Sequence, residues 1–305
     1  MKHPSFTLRA SRAFRAGLAP RADTAVICPF PMSSLSQIRP GLTHTGSEIQ
    51  KDRTIMPAPK VIAKQPAVQS RPTDEKQLLT AGISHELRTP LTILKGRLHG
   101  IEDGVIDPDS EETARLLRQI DHVLEIVNDL DMLAQADLGR LAIARRAIDL
   151  GDVTRKVVSD LRPLFARHDI AIIENIEPVE MLGDPVRLTQ VVTNLITNAA
   201  KHSQVGGRIL VDVVKAEGDA RLTVRDEGPG IEQGDEERIF KPFWRSASTI
   251  KRAGCPGTGL GLALTARLVD AHEGTIAAQN RRDRSGACFE MVLPLPAPDE
   301  SESIF

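Results

Sequence analysis

At 305 residues the chain has room for one large domain, or for two of ordinary size with tails. Hydrophobic residues at 41%, charged residues at 26% and a net charge of -2 describe a globular chain and exclude a bulk polyanion-binding role. Aromatics make up 3%, with no Tyr and one Trp, so the core must be aliphatic. The three cysteines, Cys28, Cys255 and Cys288, are too scattered for a disulfide framework or a zinc cluster and suit a reducing compartment. No run approaches the roughly 18 to 20 apolar residues of a membrane span, which points to a cytoplasmic protein.

Residues 1–70 lack a sustained hydrophobic period and are rich in proline, so a disordered basic segment is expected there. Its early arginines (Arg9, Arg12, Arg15, Arg21) fit a faint organelle-targeting pattern, a flexible basic tail, or translation that truly begins at Met56. From about Thr73 to Gly104 the residues Leu79, Ile83, Leu87, Leu91, Leu94, Leu98 and Ile101 step by three or four, the mark of an amphipathic helix. At about 100° per residue, His85 points well away from Ile83 and Leu87, together with Arg88, Thr89 and Thr92. Pro90 should kink that helix one turn beyond the histidine. A neutral imidazole is a usable nucleophile near pH 7, and the adjacent Glu86 carboxylate can fix its tautomer and take its proton.

Asp107-Pro108-Asp109-Ser110 reads as a turn with capping chemistry. A second helix follows to about Ala136, with Leu116, Ile120, Val123, Val127, Leu130 and Ala134 as a coiled-coil-like seam. A lone hairpin leaves a face uncovered; a second copy would complete a four-helix bundle, and the downstream domain is the other candidate cover. From Gly139 strands and helices mix. Expected are a short strand before Leu150, a helix over Val153 to Ala166, a strand at Ile170 to Ile173 and a helix from Pro185 with Asp184 as its cap. Strands at 209–214 and 222–225, a glycine-rich stretch at 228–257, a helix to about Ala271 and strands at 275–279 and 287–293 complete an α/β two-layer sandwich.

One stripe of the helix from Pro185 carries Gln190, Asn194, Asn198, Lys201 and His202. Asparagine oxygens are hard ligands and a lysine meets phosphate charge, which suits a magnesium triphosphate. Asp226, at a strand end beside Gly228 and Gly230, is placed to accept a hydrogen bond from a base's exocyclic amine. Phe240-Lys241-Pro242-Phe243-Trp244-Arg245 follows, then Gly257-Thr258-Gly259-Leu260-Gly261-Leu262 leading into a helix whose N-terminus favours phosphate.

Ser84-His85-Glu86-Leu87-Arg88-Thr89-Pro90-Leu91 resembles the H-box of two-component sensor histidine kinases, in which the histidine is phosphorylated. The later segments resemble the N, G1, F and G2 boxes of the same family's ATP-binding domain, in family order. The resemblance spans about residues 73 to 296. It implies a dimerisation and phosphotransfer domain at 71–138, an ATP-binding domain of the GHKL type at 139–297 and a tail at 298–305. By position it implies His85, Glu86 and Thr89 as the catalytic group and ATP with Mg2+ as cofactors. Asn198 would hold the metal, with Asn194 and Lys201 at the phosphates and His202 beside the nucleotide. Asp226 would read adenine in a pocket lined by Gly228 and Gly230. Gly257, Gly259, Leu260, Gly261 and Leu262 would form the hinge of a lid that Phe240 and Phe243 anchor, with Arg245 near the terminal phosphate.

His202 and Trp244 stand where tyrosine is frequent in the family; both keep a flat π surface, so altered nucleotide affinity is expected. Cys255 falls in the expected lid. Leu91 to Val105 further looks like sensors of drug efflux and envelope stress, which implies a winged-helix response regulator as partner. The expected protein is therefore a homodimeric kinase with regulator phosphatase activity through Glu86-Leu87-Arg88-Thr89. Its sensing apparatus would be missing, shortened or supplied by a separate membrane sensor, with no direct nucleic-acid binding. The rivals are another type of GHKL ATPase and a truncated, non-catalytic partner of a membrane sensor.

Overall fold

A computed structural model describes residues 72–246 and 257–296, with side chains from Ala81 onward. The expectations for the basic N-terminal segment, the C-terminal tail, Cys28 and Cys255 lie outside those residues. Helix α1 runs Pro72–Glu102 and α2 runs Ser110–Asp137. The expected kink does not interrupt α1, which continues as helix through Pro90. Asp109 caps α2 by accepting a bond from the Glu112 N–H at 2.6 Å. In the hairpin the half-buried Arg97 guanidinium reaches both oxygens of the buried Glu112 carboxylate at 2.8 Å, and Ile106 fills the notch left by Gly100.

Within one chain the expected seam of α2 is partly covered: Leu116, Val123 and Leu130 are half-buried. Ile126 and Leu133 are the apolar residues of α2 that are buried, whereas Ile120 and Val127 stay exposed. Helix α2 lies against two bodies, α1 and the sandwich, and Leu130, Met132 and Leu133 join the core of the latter. A period alone cannot divide one helix surface between two such neighbours.

Strand β1 (Arg146–Asp149) pairs antiparallel with β3 (Glu180–Gly183), a short strand with no clear signature in the sequence. Helix α3 (Leu150–Ala166) separates β1 from β2 (Ala171–Ile176), and α4 (Pro185–His202) follows β3. Strands β4 (Arg208–Ala216) and β5 (Asp219–Arg225) form a hairpin whose turn residues Glu217 and Gly218 both take positive φ. Helix α5 (Gly261–Ala271) precedes β6 (Thr275–Asn280) and β7 (Ala287–Pro294). The main sheet has the order β2-β4-β5-β7-β6, with β2 and β4 parallel and the other pairs antiparallel. Its inner face (Ile209, Val211, Val213, Leu222, Val224, Met291, Leu293) packs on the apolar stripe of α4, α3 and α5, giving the expected two-layer sandwich.

The N-terminus of α4 is held firmly. Asp184 accepts from the Val186 and Arg187 N–H groups and, through its other oxygen, from Ala144 N at 3.0 Å. Burial opposes the charge on Asp184, yet these bonds and Arg187 leave its pKa below the ordinary value. Asp184 N–H donates to Nε2 of buried His272 at 3.1 Å, while Nδ1 of that ring lies 2.7 Å from Leu268 O. His272 is therefore a neutral, Nδ1-protonated ring, and burial lowers its pKa accordingly. It locks the end of α5 to the start of α4, the two helices that border the site.

Candidate functional site

A cleft opens between α4, the loop after β5 and the start of α5. Asn194, Asn198, Lys201 and His202 line it from α4, Asp226 and Gly230 from the β5 side, and Gly257, Gly259, Gly261 and Leu262 from the glycine-rich segment. Arg245 and Trp244 also line it, with the Arg238 guanidinium 5.7 Å from the Trp244 ring centroid. Four of the expected nucleotide residues, Gly228, Phe240, Phe243 and Leu260, do not line the cleft. Leu260 is fully buried in the core and Phe240 packs against it.

Gly228 acts one step back: its N–H donates to Asp226 Oδ1 at 2.8 Å, and a Cβ on it would come within 2.6 Å of His202 O. Phe243 adopts φ 61°, donates its N–H to Gly259 O at 3.0 Å and lays its ring against Gly82 of α1. A Cβ on Gly259, whose φ is +70°, would meet the Phe243 backbone at 2.9 Å. Only glycine lets these two backbones touch at that position.

Asp226 is buried and oriented from behind. Its Oδ1 accepts from Gly228 N and from Ala287 N at 3.1 Å, which leaves Oδ2 to serve the cleft. Burial raises its pKa despite those bonds and the nearby Arg281. Arg281, 2% exposed, donates to Asp226 O at 3.1 Å and grips Asp283 at 2.6 Å. Ser285 donates to Gly228 O at 2.6 Å, and Asn280 brackets Ile231 by accepting from its N–H and donating to its carbonyl. Thus the β6–β7 turn, legible in the sequence only as a turn, is the brace of the Asp226 loop. Its bonds span about 50 to 60 residues, beyond the reach of any local pattern.

The donor set fits magnesium arriving with a triphosphate. Among the described residues no group of three or more His, Cys, Asp or Glu gathers as a metal cage, so phosphate oxygens would have to complete the coordination, as is usual for this ion. Asn194 uses its Nδ2 on Gly261 O at 3.3 Å, a bond that leaves its carboxamide oxygen available.

His85 sits elsewhere. Its side chain is 78% exposed on α1, with Nδ1 3.7 Å from Glu86 Oε1, and it does not line the cleft. Thr89 donates its hydroxyl to His85 O at 3.3 Å. A cleft residue that the sequence did not reveal is Asp129 of α2; burial, with Glu125 adding to it, pushes its carboxyl up to about 6.

A helical hairpin with an exposed histidine, joined to an α/β sandwich with an asparagine- and glycine-lined cleft, defines a protein of the histidine-kinase and GHKL ATPase architecture. The comparisons agree. Residues 75–139 match the His Kinase A (phospho-acceptor) domain, and residues 183–297 match the histidine kinase-, DNA gyrase B- and HSP90-like ATPase family. The Acinetobacter baumannii histidine kinase AdeS is 31% identical with a TM-score of 0.59, over 70% of this chain and 98% of that one. Full-length ShkA, solved with AMPPNP, is 27% identical with a TM-score of 0.53, over 73% of this chain and 46% of that one. The signal transduction histidine-protein kinase BaeS of Escherichia coli is 32% identical over 216 residues, which make up 70% of this chain and 46% of BaeS. The chain belongs to the histidine kinase family. It spans less than half the length of its relative BaeS, and no helix among the described residues is long and apolar enough to cross a membrane.

Proposed function

We propose that this chain is a protein-histidine kinase that phosphorylates His85 from ATP and passes the phosphoryl group to an aspartate of a separate response regulator of winged-helix type. The observation that carries this reading is the convergence of Asn194, Asn198, Lys201, Asp226, Gly259 and Gly261 on one cleft, in a chain that also exposes His85 beside Glu86. Asp226 accepts the adenine amine through its cleft-facing oxygen. Lys201 and Arg245 meet phosphate charge, and the N-terminal N–H groups of α5 add to that field. Asn198 would hold magnesium, which supplies charge neutralisation at the triphosphate.

Because Nδ1 of His85 faces Glu86, the outward Nε2 is the nucleophile. Its lone pair forms the N–P bond as the bond from the γ-phosphorus to the bridging oxygen breaks; ADP leaves with that electron pair, and the Nδ1 proton passes to Glu86. The 3.7 Å separation is loose for a hydrogen bond and shortens as the ring becomes cationic. Since His85 lies outside the cleft, the sandwich must leave its present seat on the hairpin, or serve the histidine of a second copy, before transfer.

His85→Gln is expected to lose acid-labile labelling from γ-labelled ATP while keeping nucleotide binding; undiminished labelling would overturn the assignment. In calorimetry, Asn198→Ala should weaken ATP binding only when magnesium is present, and Asp226→Ala should weaken it with or without the metal. Equal metal dependence in the two variants would contradict these roles.

Thr89, one turn past His85, is read as the residue that positions water for regulator dephosphorylation. Its bond to His85 O turns the hydroxyl along the helix, so that bond must be exchanged when the regulator docks. Thr89→Ala should keep His85 phosphorylation and prolong the life of the phosphorylated regulator; identical decay rates would make Thr89 structural only.

A further inference from the structure

Helix α2 reaches into the cleft. Besides the apolar packing of Leu130 and Leu133, polar and close contacts among the described residues seat the hairpin on the sandwich. Arg267 of α5 meets Asp137 at 3.0 Å, Arg187 of α4 meets Met132 Sδ at 2.9 Å, and the Phe243 ring lies so close to Gly82 that a Cβ there would come within 2.6 Å. Asp129 lies one turn before the buried Leu133 of that seam, and its side chain lines the cleft together with Asn194, Asn198, Gly261 and Leu262. Gly261, which shares that lining, is the first residue of α5, and the backbone N–H groups of a helix start attract phosphate. Both influences on its carboxyl, burial and the neighbouring Glu125, act against the negative charge.

Resting on the ATP-site reading above, we propose that Asp129 is a nucleotide-site residue lent by α2, an acid that takes the place of phosphate while the hairpin is seated and so sets docking against triphosphate binding. Two negative groups brought together in a partly dehydrated cleft repel strongly, and little salt enters to screen them. The coupling is reciprocal: whatever factor docking removes from ATP affinity, bound ATP removes from docking. The triphosphate thereby loosens the hairpin in the state in which His85 must become reachable. A diphosphate, shorter by one charged group, loosens it less and lets the seat re-form after transfer.

The test uses the full chain and calorimetry with Mg-ATP and Mg-ADP. Asp129→Asn should tighten ATP binding by about fivefold or more, a typical coupling, and change ADP binding by less than about twofold. Arg267→Glu, which sets like charges against Asp137 and loosens the seam without touching Asp129, should tighten ATP in the same direction. Hydrogen exchange supplies an independent readout: ATP should speed exchange at the end of α2 in the wild type and much less in Asp129→Asn. Unchanged or weaker ATP binding in Asp129→Asn would overturn the proposal while leaving the ATP site standing. A wild type that binds neither nucleotide would overturn both.

Discussion

Asp226 shows how little of a functional residue's setting is local. Its identity and its place at a strand end were legible from Asp226-Glu227-Gly228-Pro229-Gly230, but the groups that aim it come from the β6–β7 turn. Arg281 is held there by Asp283, whose carboxyl the Arg281 guanidinium, with Arg284 assisting, keeps well below the ordinary carboxylate range. A depressed folded-state pKa stabilises above the unfolded value of about 3.9 and loses that contribution as pH falls through the folded value. Asp283→Asn should therefore lower the melting temperature at pH 7, and the gap to wild type should shrink as the pH drops below about 4. A gap independent of pH would show that the Arg281–Asp283 pair is not its source. Cys288 is a different case: burial pushes its thiol up to about 11, so it stays protonated and behaves as a small core hydrophobe.

At the scale of elements, the helices were the most legible because a long 3.6-residue period and caps such as Asp109 and Asp184 speak for themselves. Strand β3 is not legible in the sequence: four residues, Glu180–Gly183, carry no alternation that a short run could reveal, and only pairing with β1 makes them a strand. The one-turn 3-10 helix Arg238–Phe240 falls in the same class. The hairpin depends on an ion pair that no period announces. Arg97 and Glu112 lie fifteen residues apart in sequence, with Glu112 buried and Arg97 partly in water. Glu112→Ala leaves Arg97 able to turn to solvent, so the loss should be about 1 to 2 kcal/mol and not the larger cost of stranding a fully buried charge. Urea unfolding followed by circular dichroism measures it. A loss below experimental error would mean that the pair serves register alone.

On the scale of the whole molecule, the hairpin keeps a large apolar surface in water. Leu91, Leu98, Leu117, Leu124 and Val127 are 46 to 56% exposed, although α1 and α2 cover one another and the sandwich covers the end of α2. An exposed stripe of this kind on a paired-helix hairpin is what the homodimer expected from the sequence would cover. The double variant Leu98→Glu, Leu124→Glu should sediment as a monomer under conditions in which the wild type is a dimer, with the sandwich still folded and ATP binding retained. Dimerisation unaffected by both charges would place the interface elsewhere.

Two kinds of information separate at the end. Residue identities, helical periods, caps and glycine spacings determined the H-box, the order of the nucleotide segments and the class of fold, since each of these is written within a few helical turns of chain. The tertiary structure alone decided which residues of α2 are buried within one chain, that Gly228 supports the cleft instead of lining it, that Arg281 and Asn280 brace the Asp226 loop, and that Asp129 enters the cleft. Such contacts join residues tens of positions apart, and their energies depend on burial and on which bodies share a surface, quantities that exist only once the chain has packed.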